Sequence, residues 1–444
     1  MDIELSEQLY KRPTKSLVLM ALAIATILST MLLSYMAGGN LVNIGFAGAL
    51  TLMALIYLVV GRRELWISPE IVMVMIWLAY SLIPSLFAPD QEQAMFKMMT
   101  MIQVLILSVV ILQVCIWQGS TRIFIWTYIL AVCASYIITF TPLNELVVEV
   151  QAEVEGSDSM VRTASTLGNA NTFGVVAVLA QAFVVILISM KSTTARERVL
   201  AVVSYFILAG AVINSGSRTA LAGSLLLTFG MAWVFSLWKI HKLGNVIKWL
   251  VIIGALIGGL YYFLKDVEVV QERFDIVVSE SKIEMRMADF FDLFTKDEDE
   301  EMIERSGDSI GNRLGLAKMA WDIVNEYPFG VGLDNFKIFS GVYAHSNYLE
   351  LLADTGFIGT FLYYLIYVLL VLKLLKLWSR IKGSNLPKAL ILGVFILSVM
   401  DIANVSYYTK PVWIFLIIII ATAELFQRQA VLIKQRQNHR VLTS

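Results

Sequence analysis

Apolar runs of membrane-spanning length recur along this chain and constrain its fold more than any other feature. Runs of about 18–22 residues are long enough to cross roughly 30 Å of hydrocarbon as helices. Hydrophobic residues make up 58% of the chain, only 16% of its residues are charged, and the mean hydropathy is +0.73. A soluble domain usually has about 25% charged residues. The sequence therefore predicts an all-α polytopic membrane protein, because helices satisfy their own backbone groups in lipid.

The apolar runs predict about twelve transmembrane helices. The predicted spans cover residues 16–37, 41–60, 68–87, 97–117, 122–141, 172–190, 199–214, 218–238, 247–264, 357–378, 387–405 and 411–427. If the N-terminus is cytoplasmic, most of the 34 Lys and Arg residues fall in cytoplasmic segments and the short outside loops have almost none. This distribution follows the positive-inside bias. It predicts that both termini are cytoplasmic.

Two of the predicted outside loops are long, at residues 142–171 and 265–345. The second contains an acidic run at 297–304, which we interpret as a solvated face, with a metal site as the alternative. It also contains a segment with helical periodicity that stops at Pro328-Phe329-Gly330, so the loop is predicted to be a mostly helical cap. The predicted organisation is nine spans in 1–264, the loop 265–345, a short helix and three spans in 346–427, and a cytoplasmic tail at 428–444.

Three arginines lie on the predicted outer side, near membrane depth and among small or polar residues: Arg162, Arg218 and Arg313. An arginine placed toward hydrocarbon usually faces a cavity or a partner. Its planar fork of donors suits phosphate oxygens. Each one alone is also compatible with a snorkelling interfacial residue. Together, with clustered Gly, Ser and Asn that let the backbone approach an anion, they predict a phosphate-binding site.

The stretch HSNYLELLADTGFIG, residues 345–359, begins with one of only three histidines in the chain. Asn347 and Glu350 have capping-box spacing, which predicts a short helix that begins near 347 and ends at Gly356. His345 would then precede a helix N-terminus, where the helix dipole favours the neutral imidazole. A neutral imidazole accepts a proton from a hydroxyl group. Two interpretations stay open: a general base, or a histidine that caps or hydrogen-bonds the loop.

Several motifs of cofactor and metal chemistry are absent from the sequence. It contains no P-loop, no GxGxxG that opens a helix, no HExxH and no CxxC pair. His241 and His439 fall on the predicted cytoplasmic side, so histidines cannot cluster outside. Cys115 and Cys133 lie in apolar segments, where a structural disulfide is not expected. We expect a reaction that needs neither metal nor cofactor.

Three blocks of this sequence resemble the bacterial O-antigen ligase and O-antigen polymerase superfamily. The ligase signature is His, then Asn, Ser or Gln, nine residues, Gly, two residues, and a small residue or Tyr. This pattern is matched by His345, Ser346, Gly356 and Gly359. The block RTASTLGNANTFG resembles an upstream block of the family through Arg162, Gly168, Asn169, Asn171 and Gly174. The block NSGSRTALAG resembles its Ser-Arg segment through Ser217 and Arg218.

The resemblance implies a GT-C-like glycosyltransferase of the bacterial inner membrane, with its active site on the periplasmic face. The donor would be a glycan linked to undecaprenyl diphosphate. The acceptor would be a sugar hydroxyl on lipid A–core in a ligase, or on a second lipid-linked glycan in a polymerase. The transfer would be inverting, and no nucleic acid partner is implied.

The resemblance also implies roles for residues. The diphosphate would be bound by Arg162, Arg218 and Arg313, and His345 would deprotonate the acceptor hydroxyl. Alternatively, His345 hydrogen-bonds the diphosphate and leaves Glu350 or Asp354 nearer the acceptor. Secondary site candidates are Asn169, Asn171, Ser346, Asn347 and Glu350.

The subtype is less constrained than the superfamily. Arg162 precedes Gly174 by twelve positions, and Arg313 has no counterpart at that spacing, whereas polymerases often carry two such spacings. This favours a ligase over a polymerase of O-antigen or exopolysaccharide. A secondary transporter is a more distant alternative, which predicts related halves and ionisable residues inside the spans. The two halves show no convincing similarity, and Asp401 is the main ionisable residue predicted inside a span.

Overall fold

The computed structural model describes residues 16–34, 36, 39–141, 143, 165–167, 169–235, 310–381 and 383–443. The predicted span 247–264, the acidic run 297–304 and most of both long loops fall outside these ranges. Within them the chain forms thirteen helices and a 3-10 turn at Ser165–Leu167. The helices are α1 Leu17–Leu32, α2 Gly39–Val59, α3 Pro69–Leu86, α4 Gln91–Gln118, α5 Arg122–Ile138, α6 Ala170–Ser189, α7 Ala195–Ser215, α8 Arg218–Val234, α9 Ile310–Glu326, α10 Phe336–Ser340, α11 Asn347–Arg380, α12 Leu386–Met400 and α13 Lys410–Thr443.

Eleven of the twelve predicted spans correspond to an apolar helix in the described ranges. Seven helices are long and apolar enough to cross a membrane: α2, α3, α4, α6, α7, α11 and α13. Shorter apolar helices form at four further predicted spans: α1, α5, α8 and α12. Within the described residues, the prediction of an α-helical chain with several helices able to cross a membrane is confirmed.

Helix α6 forms the centre of the bundle. Its sequence is apolar on all sides, as expected for a helix with no solvent-facing surface. Every residue from Phe173 to Leu187 is buried. It packs against α5, α7, α8 and α12. Gly174 allows the closest of these contacts, because a Cβ there would lie 2.6 Å from Ser215 Oγ and 2.8 Å from Ala220 Cβ.

Helix α11 contains two helices joined at a sharp break. Gly356 has φ +66° and ψ −173°, a conformation that only glycine adopts without strain. The break separates a short helix, 347–355, from an apolar helix, 357–380, that is long enough to span a membrane. The predicted end of the short helix at Gly356 is therefore correct. The following span begins at once, without an intervening loop.

Residues 327–346, which we call the strap, cross the outer surface of this break. A Cβ at Gly356 would lie 2.1 Å from Pro328 O, so the strap backbone touches the helix break. Gly330 and Gly332 have φ of +89° and +95°. Two strap amides bind helix carbonyls: Val331 N donates to Ala353 O at 3.0 Å and Gly332 N to Asp354 O at 2.8 Å.

At the opposite end of the bundle, a buried ion triad joins α3, α11 and α13. Lys373 Nζ lies 2.7 Å from a carboxylate oxygen of Glu70 and also pairs with Glu424. Both glutamates are almost fully buried. Buried charges of this kind are costly unless they are paired, so the triad holds the three helices in one arrangement.

Candidate functional site

The Ser-Arg block opens α8. Ser217 is the N-cap residue, and its hydroxyl accepts a hydrogen bond from Ala220 N at 3.3 Å. Arg218 is the first helical residue and its side chain is exposed. It therefore lies at the positive end of the α8 dipole, where an anion is favoured.

The upstream block packs directly on the Ser-Arg block. Asn169 is the N-cap of α6, and its side-chain oxygen Oδ1 accepts hydrogen bonds from Asn171 N at 2.9 Å and Thr172 N at 3.1 Å. One turn further, a Cβ on Gly174 would lie 3.1 Å from Ser217 Cβ. The two blocks thus meet at the starts of α6 and α8. Asn169, a secondary site candidate, therefore also caps α6.

The start of α8 also contacts the end of α12, which leads to the histidine block. The side chain of Met400 occupies the space where a Cβ of Gly223 would be, with its terminal methyl carbon 2.2 Å from that position. The next residue, Asp401, accepts a hydrogen bond through its carbonyl from Asn347 N at 2.8 Å. Arg218 and His345 therefore lie at the same end of the bundle, connected through the end of α12.

Two predictions about this end are wrong. The cap of the short helix is Ser346, with extended φ and ψ, and Asn347 is the first helical residue. The predicted capping box of Asn347 and Glu350 does not form, because both side chains bind other partners. The eleventh span was predicted as 387–405, whereas α12 ends at Met400 and Asp401 lies in the loop that follows.

Asn347 connects the short helix to the loop between α12 and α13. Its side-chain oxygen accepts from Ser406 N at 3.0 Å and Tyr407 N at 2.9 Å. Its amide nitrogen donates to Tyr364 Oη at 3.0 Å and to the Asp401 carboxylate at 3.4 Å. Asn347 is fully buried, so all of these bonds form away from water. The loop is thereby held against the residue that follows Ser346.

The Asp401 carboxylate is the other polar centre of this loop. It accepts hydrogen bonds from the Ser406 hydroxyl, from Tyr367 Oη at 3.3 Å and from Tyr364 Oη at 3.4 Å. Burial raises the pKa of Asp401 from its ordinary value to about 7, although these hydrogen bonds lower it. Hydrogen bonding to hydroxyl groups is what allows the carboxyl to be buried at this position.

Two further carboxylates, Glu350 and Asp354, lie one turn apart on the same face of the short helix, and both are fully buried. Glu350 accepts a hydrogen bond from Ala344 N at 2.9 Å. Asp354 accepts from Asp334 N at 2.7 Å and from Phe336 N at 3.0 Å. These two acids therefore bind backbone N–H groups of the strap.

Opposite charges approach this acidic face from α4 and α10. Lys97 Nζ lies 3.3 Å from Asp334 Oδ2 and 3.7 Å from the ring centroid of Tyr408. Lys337 Nζ lies 3.4 Å from the same carboxylate oxygen. Two ammonium groups thus offset the negative charge of Asp334.

His345 is exposed although both of its neighbours, Ala344 and Ser346, are buried. Its φ of +51° is uncommon for a residue with a side chain and carries strain. Both neighbouring residues are held by hydrogen bonds. Ala344 N donates to the Glu350 side chain, and the Ser346 hydroxyl donates to Asp401 O. The structure therefore presents the imidazole outward from a restrained turn just before a helix N-terminus.

The other fixed positions of the signature have structural tasks. Ser346 occupies the N-cap position of the short helix and donates its hydroxyl to Asp401 O at 3.5 Å, and Gly356 forms the break under the strap. A Cβ at Gly359 would lie 2.9 Å from the ring of Tyr80 on α3, so this glycine allows two helices to pack closely. His345 is the one fixed position of the signature whose side chain is exposed.

The remaining predicted arginines are only partly placed. Arg162 lies outside the described residues, and Arg313 lies in α9, with its side chain outside the described part. Lys97 is not among the site residues predicted from the sequence. A signal was present, because Lys97 is the lone charged residue between Glu92 and Arg122, and such residues usually face a partner.

Comparison with known families agrees with the sequence blocks. Residues 203–364 match the family model described as O-Antigen ligase. No curated protein matches this sequence significantly. The matched range extends from α7 to α11 and includes both Arg218 and the complete His345–Gly359 signature. The match supports the resemblance to the bacterial O-antigen ligase and polymerase superfamily that the sequence blocks indicate.

Proposed function

We propose that this protein is an O-antigen ligase-type glycosyltransferase of the bacterial inner membrane. It transfers a glycan from undecaprenyl diphosphate to a sugar hydroxyl of lipid A–core at the periplasmic face, with inversion and without metal. One observation carries this proposal: the range that matches the O-antigen ligase family model contains an exposed arginine and an exposed histidine, Arg218 and His345, at the same end of the bundle.

On the donor side, the bond between the anomeric carbon and the diphosphate oxygen breaks, and negative charge increases on the diphosphate. Arg218 stabilises this charge with its guanidinium and with the positive end of the α8 dipole. We assign the same task to Arg162 and Arg313. The leaving group departs as undecaprenyl diphosphate.

On the acceptor side, the hydroxyl oxygen bonds to the anomeric carbon on the face opposite the diphosphate. Its proton passes to a nitrogen of the His345 imidazole. The alternative, in which Glu350 or Asp354 is nearest the acceptor, receives less support because both carboxylates are fully buried and accept strap N–H groups. We therefore favour His345 as the base over a contact of His345 with the diphosphate.

The catalytic assignment predicts that Arg218→Ala and His345→Ala each abolish glycan transfer and leave the protein folded and in the membrane. The measurement is transfer from a lipid-linked glycan by purified protein, with thermal unfolding as the check of folding. Arg196→Ala is the matched control, because Arg196 is exposed at the far end of α7 and should retain full activity. Wild-type activity in Arg218→Ala and His345→Ala would refute the assignment.

The acceptor is tested separately, by offering lipid A–core and a second lipid-linked glycan to the same purified protein. We expect single-step glycosylation of lipid A–core. A ladder of lengthening chains without added lipid A–core would identify a polymerase of O-antigen or exopolysaccharide instead.

A further inference from the structure

Helix α9 has three distinct faces. One is buried, and its residues Leu316, Ala320 and Ile323 pack in a small apolar cluster with the strap and the short helix. A second face is charged and exposed, with Lys318, Asp322 and Glu326 four residues apart along one stripe. The third face carries Trp321, which is 52% exposed. An exposed tryptophan beside a charged stripe is typical of a helix that lies at a membrane surface.

The exposed face of Trp321 continues onto the exposed apolar surface of α11. The ring centroids of Trp321 and Phe357 are 5.8 Å apart. Phe357 is the first residue after the break at Gly356, and it is exposed together with Ile358 and Phe361 on the candidate membrane span. Phe329, at the start of the strap, is 62% exposed. Because the apolar surface of the span begins at Phe357, Trp321 lies at the level where hydrocarbon gives way to headgroups.

We propose that α9 and the Phe329 turn are inserted in the bilayer interface at the end of the bundle that carries His345. Trp321 and Phe329 lie among the headgroups and upper acyl chains, and the Lys318–Asp322–Glu326 stripe faces water. Tryptophan is enriched at this level because its ring is apolar and its N–H group is polar. The occupant of this surface is the lipid bilayer itself.

This insertion has a consequence for the height of His345. The buried face of α9 packs in the same cluster as Ala344, the residue before His345. The depth of α9 in the interface thus sets the level of the imidazole relative to lipid headgroups. The inference does not depend on the proposed transfer reaction, since it concerns only the surface formed by α9 and the Phe329 turn.

The test measures the depth of spin labels in the full-length protein. Cys115 and Cys133, the two cysteines of the chain, are buried and are first replaced by alanine. Trp321→Cys and Phe329→Cys each report the proposed membrane face. The protein is reconstituted in nanodiscs of phosphatidylethanolamine and phosphatidylglycerol, and collisions with oxygen and with a water-soluble nickel chelate are compared.

Asp322→Cys and Glu326→Cys report the charged stripe, and Phe357→Cys reports the span. We expect the ratio of oxygen to nickel collisions to be severalfold higher at 321 and 329 than at 322 and 326. Label depths at 321 and 329 should be about 5–10 Å below the headgroup surface. Nickel accessibility at 321 and 329 equal to that at 322 would place this face in water and overturn the proposal. Low accessibility of 321 and 329 to both reagents would mean that protein covers them, and would also overturn it.

Discussion

At the residue scale, the site depends on buried acids that support an exposed histidine. Glu350 accepts a hydrogen bond from the N–H group of Ala344, the residue before His345, and the backbone carbonyl of Asp401 accepts one from the hydroxyl of Ser346, the residue after it. Both carboxylates are fully buried. The chemistry assigned to His345 therefore rests on groups whose own task is to hold the turn.

Substitution of Glu350 tests this support. Glu350→Gln keeps a side-chain oxygen for Ala344 N and should retain most of the transfer activity. Glu350→Ala leaves that buried N–H without a partner, at a cost of about 1–3 kcal/mol in unfolding free energy. Displacement of His345 should lower kcat by up to about 100-fold. The measurement is kcat for both variants, and equal losses in the two would show that the charge of Glu350 matters rather than its hydrogen bond.

Asp401 gives the protein a defined pH dependence of stability. Its pKa in the folded protein is about 7, above the ordinary value for an aspartate, so the fold favours the protonated form. The contribution to the free energy of unfolding is complete below the ordinary pKa and is lost as the pH rises through about 7. Asp401→Asn stays neutral at every pH.

We therefore expect the Tm of the wild type, relative to that of Asp401→Asn, to be lower near about pH 8 than near about pH 5. Thermal unfolding of purified protein at the two pH values measures this difference. A constant difference in Tm across the range would mean that Asp401 does not titrate there.

At the element scale, the break in α11 determines where the short helix ends and the span begins. A side chain at Gly356 would meet the carbonyl of Pro328 and would also have to adopt a positive φ. The steric contact and the positive φ both act at the helix break. The strap contacts this break, so the two would have to shift together.

Gly356→Ala should therefore lower the free energy of unfolding by at least about 1–3 kcal/mol and reduce activity. Gly315→Ala is the matched control, because Gly315 is a helical glycine of α9 with nothing within 4 Å of the added Cβ. That variant should be unchanged or more stable by about 0.5–1 kcal/mol. Thermal unfolding of both variants measures these changes. Equal Tm values for Gly356→Ala and Gly315→Ala would contradict the role given to the break.

The positions of the helices were largely predictable from the sequence, because the length of an apolar run reflects the thickness of hydrocarbon. The cap of the short helix was not. Its spacing suggested Asn347 with Glu350, but Asn347 binds Ser406 and Tyr407, which are 59 and 60 residues away. Local spacing cannot reveal such distant partners. The same limit applies to Asp401, which the apolar run 387–405 places inside a predicted span.

At the scale of the whole molecule, the two ends of the bundle differ in character. One end has the Lys373 ion triad, which joins three helices by buried charge. The other has an exposed histidine, an exposed arginine and several buried acids. Among the described residues, no group of three or more His, Cys, Asp or Glu side chains is arranged to hold a metal ion.

The proposed mechanism relies on guanidinium groups for charge stabilisation, so metal chelation should leave turnover unchanged. Purified protein is assayed for glycan transfer with and without excess EDTA, and a metal-dependent glycosyltransferase in the same buffers serves as the control. Loss of turnover that is restored by added Mg²⁺ would show that arginines alone do not stabilise the diphosphate.

The strap also determines when the site is completed during synthesis. Asn335 bonds to Asp90, 245 positions earlier in the chain, and Asn347 requires the loop that precedes α13. Contacts between such distant segments form late. The histidine turn is therefore assembled only after the loop before α13 has left the ribosome. A copy interrupted before that point lacks the bonds from Ser406 and Tyr407 to Asn347, so we expect its histidine turn to be less restrained.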